Sequence, residues 1–437
     1  MNTGIPLNLR LQEHGESLSR RGFLRLGIAA LGAAALPSIA GCGAVRTEDE
    51  CLKSILSTPK SKSLKAFESS SIGNIRLKNR IIRSAVTMNG IDAQGRPKDT
   101  LLAHYADIAR GGAGAIITGM VDTGMMIEDF KFKEEFFRDY KKVPDAIHQF
   151  NTPAIQQLSH RGGQASLATM EKSFIKGLSE SDIEGIIELF VKAISMSRRL
   201  GFDAAQLHGA HGYLLAGFLS SARNGRSDRW GGSLENRFRI IREISKRSAK
   251  NERGFPLWIK INAYDNQKNG MRIEEAAGIA RMAEEVGIAS IEVSCGGSGD
   301  GFSTVRVTSI PTEAILEFTE YKKKSSLFKF FMPALAPFIV KRYEPLENYN
   351  VCAAAEISRN VKIPVAVVGG IRKIDDINAI LASGAAGYVS MARPFIIEPD
   401  IVNRFREEAH AKSECINCGF CLVSAASTDV RCFYGKV

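Results

Sequence analysis

Residues 183–208 read IEGIIELFVKAISMSRRLGFDAAQLH and contain the repeating unit of the predicted fold. Residues 183–200 have a helical pattern, and residues 202–208 form a short, largely apolar run that ends in His208. Apolar strands that alternate with helices are typical of a parallel sheet, because each crossover helix covers one face of the sheet. This stretch therefore predicts an α/β fold.

The same alternation continues in both directions from this unit. The predicted strands are residues 80–85, 114–119, 153–158, 202–208, 256–262, 289–294, 363–368 and 387–391, and the clearest helices are residues 101–109, 183–200, 234–246 and 273–285. Eight such units close most economically into a (β/α)8 TIM barrel, which we place at residues 66–405. A doubly wound sheet is the alternative, but the glycine run at 111–114 follows a helix and precedes a strand, the reverse of a dinucleotide fingerprint.

Composition is that of a globular protein with a large core. The 437 residues are 44% hydrophobic and 24% charged, and 58 Lys and Arg against 47 Asp and Glu give a net charge of +11. The basic residues are spread along the chain without an aromatic and basic stripe, so we expect no nucleic-acid partner. A mildly basic surface is compatible with contact to anionic lipid.

The first 41 residues have the order of an export signal. Ser19-Arg20-Arg21-Gly22-Phe23-Leu24 precedes an apolar run at 26–36 that is too short to cross a bilayer comfortably. The paired arginines resemble a twin-arginine signal, and Ile39-Ala40-Gly41-Cys42 resembles a lipobox in which Cys42 becomes acylated. The alternative is an amphipathic helix with a chance arginine pair. We expect residues 42–65 to form a flexible tether. The protein would then be periplasmic or anchored to the extracytoplasmic side of a membrane.

Residues 311–349 interrupt the alternation of strands and helices. They contain Tyr321-Lys322-Lys323-Lys324 and the aromatic run Phe328-Lys329-Phe330-Phe331. We expect an insertion that forms a lid over the catalytic mouth, with its aromatic side chains underneath. Contact with a membrane is the alternative interpretation.

His208, His211 and Tyr213 stand together at the end of the fourth predicted strand. The carboxyl ends of barrel strands are where such folds place their chemistry. A zinc pair is one interpretation, but no nearby carboxylate or third imidazole completes the ligand set. Two neutral imidazoles would instead donate hydrogen bonds to a carbonyl or phenolate oxygen, and the tyrosine would supply a proton.

The motif HGAHGY at 208–213 resembles the Old Yellow Enzyme family of NADH:flavin oxidoreductases, in particular its 2,4-dienoyl-CoA-reductase-like branch. The resemblance continues through Arg223-Asn224-Gly225-Arg226 and residues 231–237 and covers roughly residues 72–405. It implies an FMN-dependent enzyme that transfers hydride to the β-carbon of an activated alkene, a small-molecule substrate. His208 and His211 would then polarise the substrate carbonyl. Tyr213 would protonate the α-carbon or simply line the pocket.

The resemblance also implies the residues that hold FMN. Thr87 corresponds to a group near the flavin O4 and N5, Gln157 to a ligand of the pyrimidine edge, and Lys260 to a cation beside N1 and O2. The implied phosphate site after strands seven and eight consists of Gly369, Gly370, Ala392 and Arg393. The chain departs from the family where it reads His160-Arg161-Gly162-Gly163 instead of His-Ala-Gly-Arg, and where Ala392 replaces a frequent glycine.

Residues 406–437 form a cysteine-rich tail. Cys415, Cys418, Cys421 and Cys432 have the close spacing of a cluster or metal site. Relatives of the dienoyl-CoA-reductase type carry a [4Fe-4S] cluster just after the barrel, but two of their gaps are one residue longer. Zinc and disulfides therefore remain alternatives to iron–sulfur.

Export would separate the enzyme from NAD(P)H, the usual cytoplasmic reductant of the family. We therefore expect a membrane or periplasmic electron-transfer partner. Two alternative functions remain open. One is an FMN dehydrogenase of the amine-dehydrogenase type that runs oxidatively, and the other is an electron-transfer lipoprotein without a substrate of its own.

Overall fold

The structure is a computed structural model of the chain. It describes residues 48–59, 64–87, 89–92, 96–124, 126, 138–162, 172–265, 267, 269–297, 302–425, 427–429 and 431–434. The expected signal at 1–41 and the expected acylation site Cys42 lie outside these residues.

Eight parallel strands close into a barrel, which confirms the predicted TIM fold. In chain order the strands of the structure are β1 Ser70–Ile72, β2 Ile75–Leu77, β3 Ile81–Arg83, β4 Ala115–Ile117, β5 Val121–Asp122, β6 Ala154–Ser159, β7 Ala204–Gly209, β8 Leu257–Asn262, β9 Ser290–Ser294, β10 Val365–Val368 and β11 Tyr388–Met391. The barrel order is β3, β4, β6, β7, β8, β9, β10 and β11, and pairing of β11 with β3 closes it. Each predicted strand lies within two residues of its observed bounds.

An antiparallel hairpin of β1 and β2 closes the amino-terminal end of the barrel. Ile72, Ile75 and Leu77 of the hairpin pack with Trp258 and Tyr388, which stand near the beginnings of β8 and β11. This apolar plug fills the lower barrel. Polar side chains are therefore concentrated at the opposite, carboxyl-terminal mouth.

Helices cover the outside of the barrel. They are α1 Glu48–Leu56, α2 Asp99–Arg110, α3 Lys142–His148, α4 Lys172–Gly177, α5 Glu180–Arg199, α6 Leu214–Leu219, α7 Ser221–Asn224, α8 Leu234–Asn251, α9 Ile273–Glu285, α10 Thr312–Phe318, α11 Ser326–Ile339, α12 Val351–Asn360, α13 Ile374–Ser383, α14 Pro394–Ile397, α15 Ile401–Glu407 and α16 Phe420–Ser424, with 3-10 turns at Lys65–Phe67 and Glu320–Lys323. In α5, Ser179 and Asp182 form a capping box that fixes the start of the helix. The apolar side of α5 packs into the main core through Ile183, Ile187 and Phe190.

The expected tether at 42–65 is not flexible throughout, because it contains helix α1. Ile55 of α1 is buried in the main core. A disulfide between Cys51 and Cys352 joins α1 to α12, with a Cα–Cα distance of 6.1 Å. The expectation of a tether is therefore wrong for Glu48–Leu56, because burial and a covalent bond both fix this helix to the barrel.

The insertion at 311–349 differs from the expected lid in the direction of its aromatic side chains. Phe330 and Phe338 of α11 are 76% and 84% exposed, so they face solvent and not the barrel. Beside it, Ala314 of α10 forms a small apolar cluster with Phe420 and Phe433 of the cysteine tail. The insertion and the tail thus pack against each other.

Within the described part of the chain, no helix is both long enough and apolar enough to cross a membrane.

Candidate active site

His208, His211 and Tyr213 converge at the mouth of the barrel, as the sequence predicts. His208 is the penultimate residue of β7 and is 3% exposed. Its ring centroid lies 5.0 Å from that of His211 and 4.7 Å from that of Tyr213. His211 has a left-handed φ of 61°, and Tyr213 two residues later occupies the N-cap position of α6. The three rings therefore form one contiguous wall.

Both imidazoles are neutral at physiological pH. Burial lowers the pKa of His208 well below its usual value, and the nearby His211 and Lys260 lower it further. Burial and Lys260 lower the pKa of His211 to about 3. The Nε2 atom of His211 lies 2.7 Å from the Ser294 hydroxyl, and the buried Nδ1 of His208 has no partner among the described residues. A neutral imidazole with a free ring nitrogen can donate to or accept from a ligand oxygen.

The phenol of Tyr213 belongs to the same wall. Burial raises the pKa of its phenol, while the charge of Arg161 and a hydrogen bond with Thr87 act in the lowering direction. Thr87 and Tyr213 are thus neighbours across the mouth. The phenol stays protonated at neutral pH, as a proton donor must.

A buried polar network crosses the barrel interior below the histidines. Lys260 Nζ lies 3.2 Å from Glu292 Oε2 and donates to the Ser84 hydroxyl at 2.9 Å. Gln206 donates to Glu292 at 3.0 Å, and Gln157 donates to Gln206 at 2.8 Å. The side chains of Lys260 and Glu292 are only 3% and 2% exposed. The two expected cofactor ligands, Gln157 and Lys260, therefore belong to one network.

Ser84, Gln206 and Glu292 are members of this network that were not predicted from the sequence. Glu292 stands inside the apolar strand β9, directly opposite Lys260 of β8 in the strand register. A charged residue in a strand that is otherwise buried was the signal that could have identified it.

The expected phosphate site lies at the ends of β10 and β11. Gly370 has a φ of 71°, and a Cβ there would come within 2.3 Å of the Leu346 carbonyl oxygen. Arg393 donates to the Arg306 carbonyl oxygen at 3.0 Å, and Ala392 beside it is half-buried. Gly369, which begins the same turn, is buried.

Two further arginines, missed in the sequence, join Arg393 around the Tyr349 ring. The Arg306 guanidinium lies 4.2 Å from the ring centroid, and the charges of Arg393, Arg306 and Arg372 all lower the Tyr349 pKa against the larger effect of burial. Among the described residues, none of the three arginines forms a salt bridge with a carboxylate. Such a set of cations next to turn glycines fits a phosphate group.

These donors fit FMN at both of its ends. The arginines and the glycine turn offer cations and backbone N–H groups to a phosphate, and Lys260 with Gln157 offers a cation and an amide to a flavin ring. The residues that the sequence assigned to FMN are thus distributed around one mouth, between β3 and β11.

The cysteine tail contains free thiols. Cys415, Cys418, Cys421 and Cys432 form no disulfide, and burial raises the pKa of Cys418 and Cys421, with a smaller effect in the same direction from the neighbouring cysteines. Arg372 donates to the Cys415 carbonyl oxygen at 2.7 Å, which places the tail beside the arginine cluster. In the part of the chain that the structure describes, no three His, Cys, Asp or Glu side chains are arranged to hold a metal ion.

Comparison with known sequences places more than half of the chain in one family. The family described as NADH:flavin oxidoreductase / NADH oxidase matches residues 65–329. An NADH oxidase from Thermoanaerobacter brockii is 29% identical over 399 residues, which cover 85% of this chain and 54% of the oxidase. A 4,4'-dithiodibutanoate disulfide reductase from Rhodococcus erythropolis is 26% identical over 84% of this chain and 94% of its own.

Solved structures share the fold at lower identity. A 2-naphthoyl-CoA reductase in complex with 2-naphthoyl-CoA has a TM-score of 0.68 at 23% identity, covering 84% of this chain and 56% of its own. Histamine dehydrogenase from Rhizobium sp. 4-9 has a TM-score of 0.61 at 20% identity, over 78% of this chain and 48% of its own. The old yellow enzyme homologue from Zymomonas mobilis has a TM-score of 0.59 at 21% identity, over 80% and 95%. The chain spans about half the length of the NADH oxidase and the naphthoyl-CoA reductase.

Proposed function

The chain belongs to the NADH:flavin oxidoreductase / NADH oxidase family, and on that premise we propose that it is an FMN-dependent reductase of activated alkenes. The observation that carries the proposal is the wall of His208, His211 and Tyr213 above the Lys260 network. Two neutral hydrogen-bonding imidazoles next to a protonated phenol match the needs of an α,β-unsaturated carbonyl substrate.

Bound FMN supplies hydride chemistry, with the hydride going to the β-carbon of the alkene. His208 and His211 hold the carbonyl oxygen and stabilise the negative charge that gathers on it. The O–H of Tyr213 gives its proton to the α-carbon, so that one hydride and one proton saturate the double bond, and water returns the proton to Tyr213. Burial of His208 and Tyr213 excludes water from the reacting carbons.

For FMN itself, we assign the phosphate to Gly369, Gly370, Ala392 and Arg393 and the flavin ring to Thr87, Gln157 and Lys260. The cationic Lys260 stabilises negative charge on a reduced ring. Its ion pair with Glu292 reduces that effect, so Glu292 limits how strongly the site favours the reduced form.

A stopped-flow experiment tests the reaction. FMN-loaded protein reduced with dithionite is mixed anaerobically with cyclohexenone, and we expect rapid reoxidation of the flavin. The double variant H208A/H211A should retain FMN but be reoxidised at least about 100-fold more slowly. His148, a half-buried histidine paired with Asp203, provides the matched control as H148N. Reoxidation only by quinones, or reduction of the flavin by amines without any reaction with alkenes, would refute the proposal.

We also propose that residues 1–41 direct export and that Cys42 is acylated, so the protein acts outside the cytoplasm. The Cys51–Cys352 disulfide supports this location, because disulfides persist mainly in oxidising compartments. Cell fractionation of R20K/R21K and C42S variants provides the test. The first should remain in the cytoplasm and the second should leave the membrane fraction. An unchanged distribution of both would contradict the export proposal.

An exported enzyme needs electrons from a membrane or periplasmic partner, and we propose that it has one in place of NADH. The four tail thiols are the residues that a [4Fe-4S] cluster or a zinc ion would use. Their arrangement in this structure does not form a ligand set, so no electron step is assigned to them. Iron and zinc analysis of anaerobically purified protein, together with its visible spectrum, distinguishes a cluster from zinc and from free thiols. Rapid flavin reduction by NADH alone would contradict the need for another donor.

A further inference from the structure

We propose that helix α11 of the insertion docks on the surface of an anionic lipid bilayer. Its five large apolar side chains that face solvent are Leu327, Phe330, Phe331, Leu335 and Phe338, here called the α11 face. Their exposed fractions range from 49% to 84%. A contiguous apolar patch of this kind on a protein surface marks an interaction site.

The α11 face is one side of an amphipathic helix. Its members recur at the three- and four-residue spacing that places side chains on one side of a helix. On the opposite side, Met332 is 5% exposed and Ala336 is fully buried. The helix is therefore anchored to the protein by one side and offers the other to a partner.

Charge next to the α11 face selects the partner. Between residues 320 and 342 the chain carries six basic side chains, at 322, 323, 324, 329, 341 and 342, and one acidic side chain, Glu320. Of these, Lys322 is paired with Glu317, whereas Lys323 and Lys324 are exposed at the start of the helix. Basic side chains beside a surface-lying apolar helix attract anionic headgroups. Two copies of the chain joined through this face would bring like charges together, which disfavours self-association.

The length of α11 defines how it meets the bilayer. Its 14 residues extend about 21 Å at 1.5 Å per residue, which is shorter than the roughly 30 Å hydrocarbon core. The helix would therefore lie in the interface with its aromatic side chains among the headgroups and upper acyl chains.

Docking at α11 would hold the cysteine tail close to the membrane. The Phe318 ring of α10 contacts the Phe433 ring of the tail at a centroid distance of 5.1 Å. The insertion and the tail would thus approach the bilayer as one unit. This inference is independent of the substrate and of the proposed reaction.

Vesicle co-sedimentation tests the docking. The FMN-loaded chain from Thr47 to Val437 is a compact unit that contains every core residue in the described part of the chain. It is mixed with vesicles of phosphatidylcholine alone or of phosphatidylcholine with phosphatidylglycerol. We expect binding to the mixed vesicles, which F330S/F338S weakens about tenfold for each phenylalanine. K323Q/K324Q should weaken it about fivefold for each lysine.

Matched controls lie on elements outside the insertion. Leu64 is another exposed apolar residue, at 46%, and Lys246 and Lys250 are exposed on α8, so L64S and K246Q/K250Q should bind as the unchanged chain does. Flavin absorbance and the melting temperature verify that each variant is folded.

Three results would overturn the proposal. They are absence of binding to the mixed vesicles, binding that F330S/F338S leaves unchanged, and a dimer in solution that F330S/F338S dissociates while vesicles bind neither protein. Reduction of soluble cyclohexenone by F330S/F338S should match that of the unchanged chain. A failure of alkene reduction in every protein would refute the proposed reaction and leave the docking result intact.

Discussion

Replacing Glu292 by glutamine tests the buried network on which the flavin end of the site depends. The substitution preserves the shape of the side chain and an oxygen that accepts the hydrogen bond from Gln206. It removes the negative charge 3.2 Å from Lys260 Nζ. Among the described residues, the buried ammonium then keeps only neutral hydrogen-bond acceptors, such as the Ser84 hydroxyl.

The distance defines the size of the effect. Two unit charges 3.2 Å apart attract by about 5 kcal/mol at an effective dielectric constant of about 20. Removing one member of a buried pair typically costs about 3–5 kcal/mol, because the other charge stays without compensation. Since Ser84 still accepts from Lys260, we expect E292Q to lower the free energy of unfolding by about 3 kcal/mol.

Equilibrium urea unfolding of the FMN-free protein, followed by circular dichroism, measures this loss. The double variant K260Q/E292Q should recover part of it, because no charge is then buried alone. D145N provides the control, since the exposed pair of Asp145 and Lys141 has a similar distance of 2.9 Å and should contribute about 0.5 kcal/mol at most. A loss below about 1 kcal/mol in E292Q, or additive effects in the double variant, would refute the reasoning.

Three other outcomes follow from the structure. Replacing Cys51 and Cys352 by serine should lower the free energy of unfolding by about 2–5 kcal/mol, measured in urea, because the unfolded chain regains the freedom that a cross-link across a sequence separation of 301 removes. G370A should weaken FMN binding, measured by flavin fluorescence, because the new Cβ collides with a backbone carbonyl and φ is 71°. Below about pH 6.5 His208 and His211 bind protons in the unfolded chain, whereas these two buried histidines stay neutral in the folded protein. The free energy of unfolding should therefore fall as pH drops, by about 1.4 kcal/mol per pH unit for each histidine.

Each of these outcomes has its own control. Dithiothreitol should destabilise the unchanged protein but not the cysteine variant. G384A has the same backbone conformation, with φ of 74°, but its Cβ meets open space, so FMN binding should be unchanged. The lowered histidine pKa values, about 3 for His211, would be contradicted if the free energy of unfolding did not change between about pH 6.5 and pH 4.

The barrel could be predicted because its signals are local. Each strand is a short apolar run next to a helix, and both patterns are visible within a few residues of sequence. The histidines and the turn glycines were equally accessible, since they directly follow predicted strands. Their convergence at one mouth follows from the parallel arrangement of the barrel strands.

The polar network and the arginine cluster could not be predicted from the sequence, because only the tertiary fold brings their residues together. Glu292 can be recognised as the partner of Lys260 only when the register of β8 and β9 is known. Arg306 lies in an irregular segment that no periodicity identifies. The Cys51–Cys352 disulfide was equally inaccessible, because eight cysteines permit many pairings and spacing alone does not select one. The outward direction of the α11 face is likewise a tertiary property, as the same residues would suit the underside of a lid.

The disulfide also limits how far the barrel can be from anything attached near the chain's beginning. Cys42 precedes Glu48, the first residue of α1, by six residues, and an extended chain spans at most about 3.5 Å per residue. An attachment at Cys42 would therefore act as a leash of about 20 Å. Such a leash ends on α1, which the disulfide joins to α12, the helix that leads into β10 and the arginine cluster. It would keep the enzyme close to the surface that holds it.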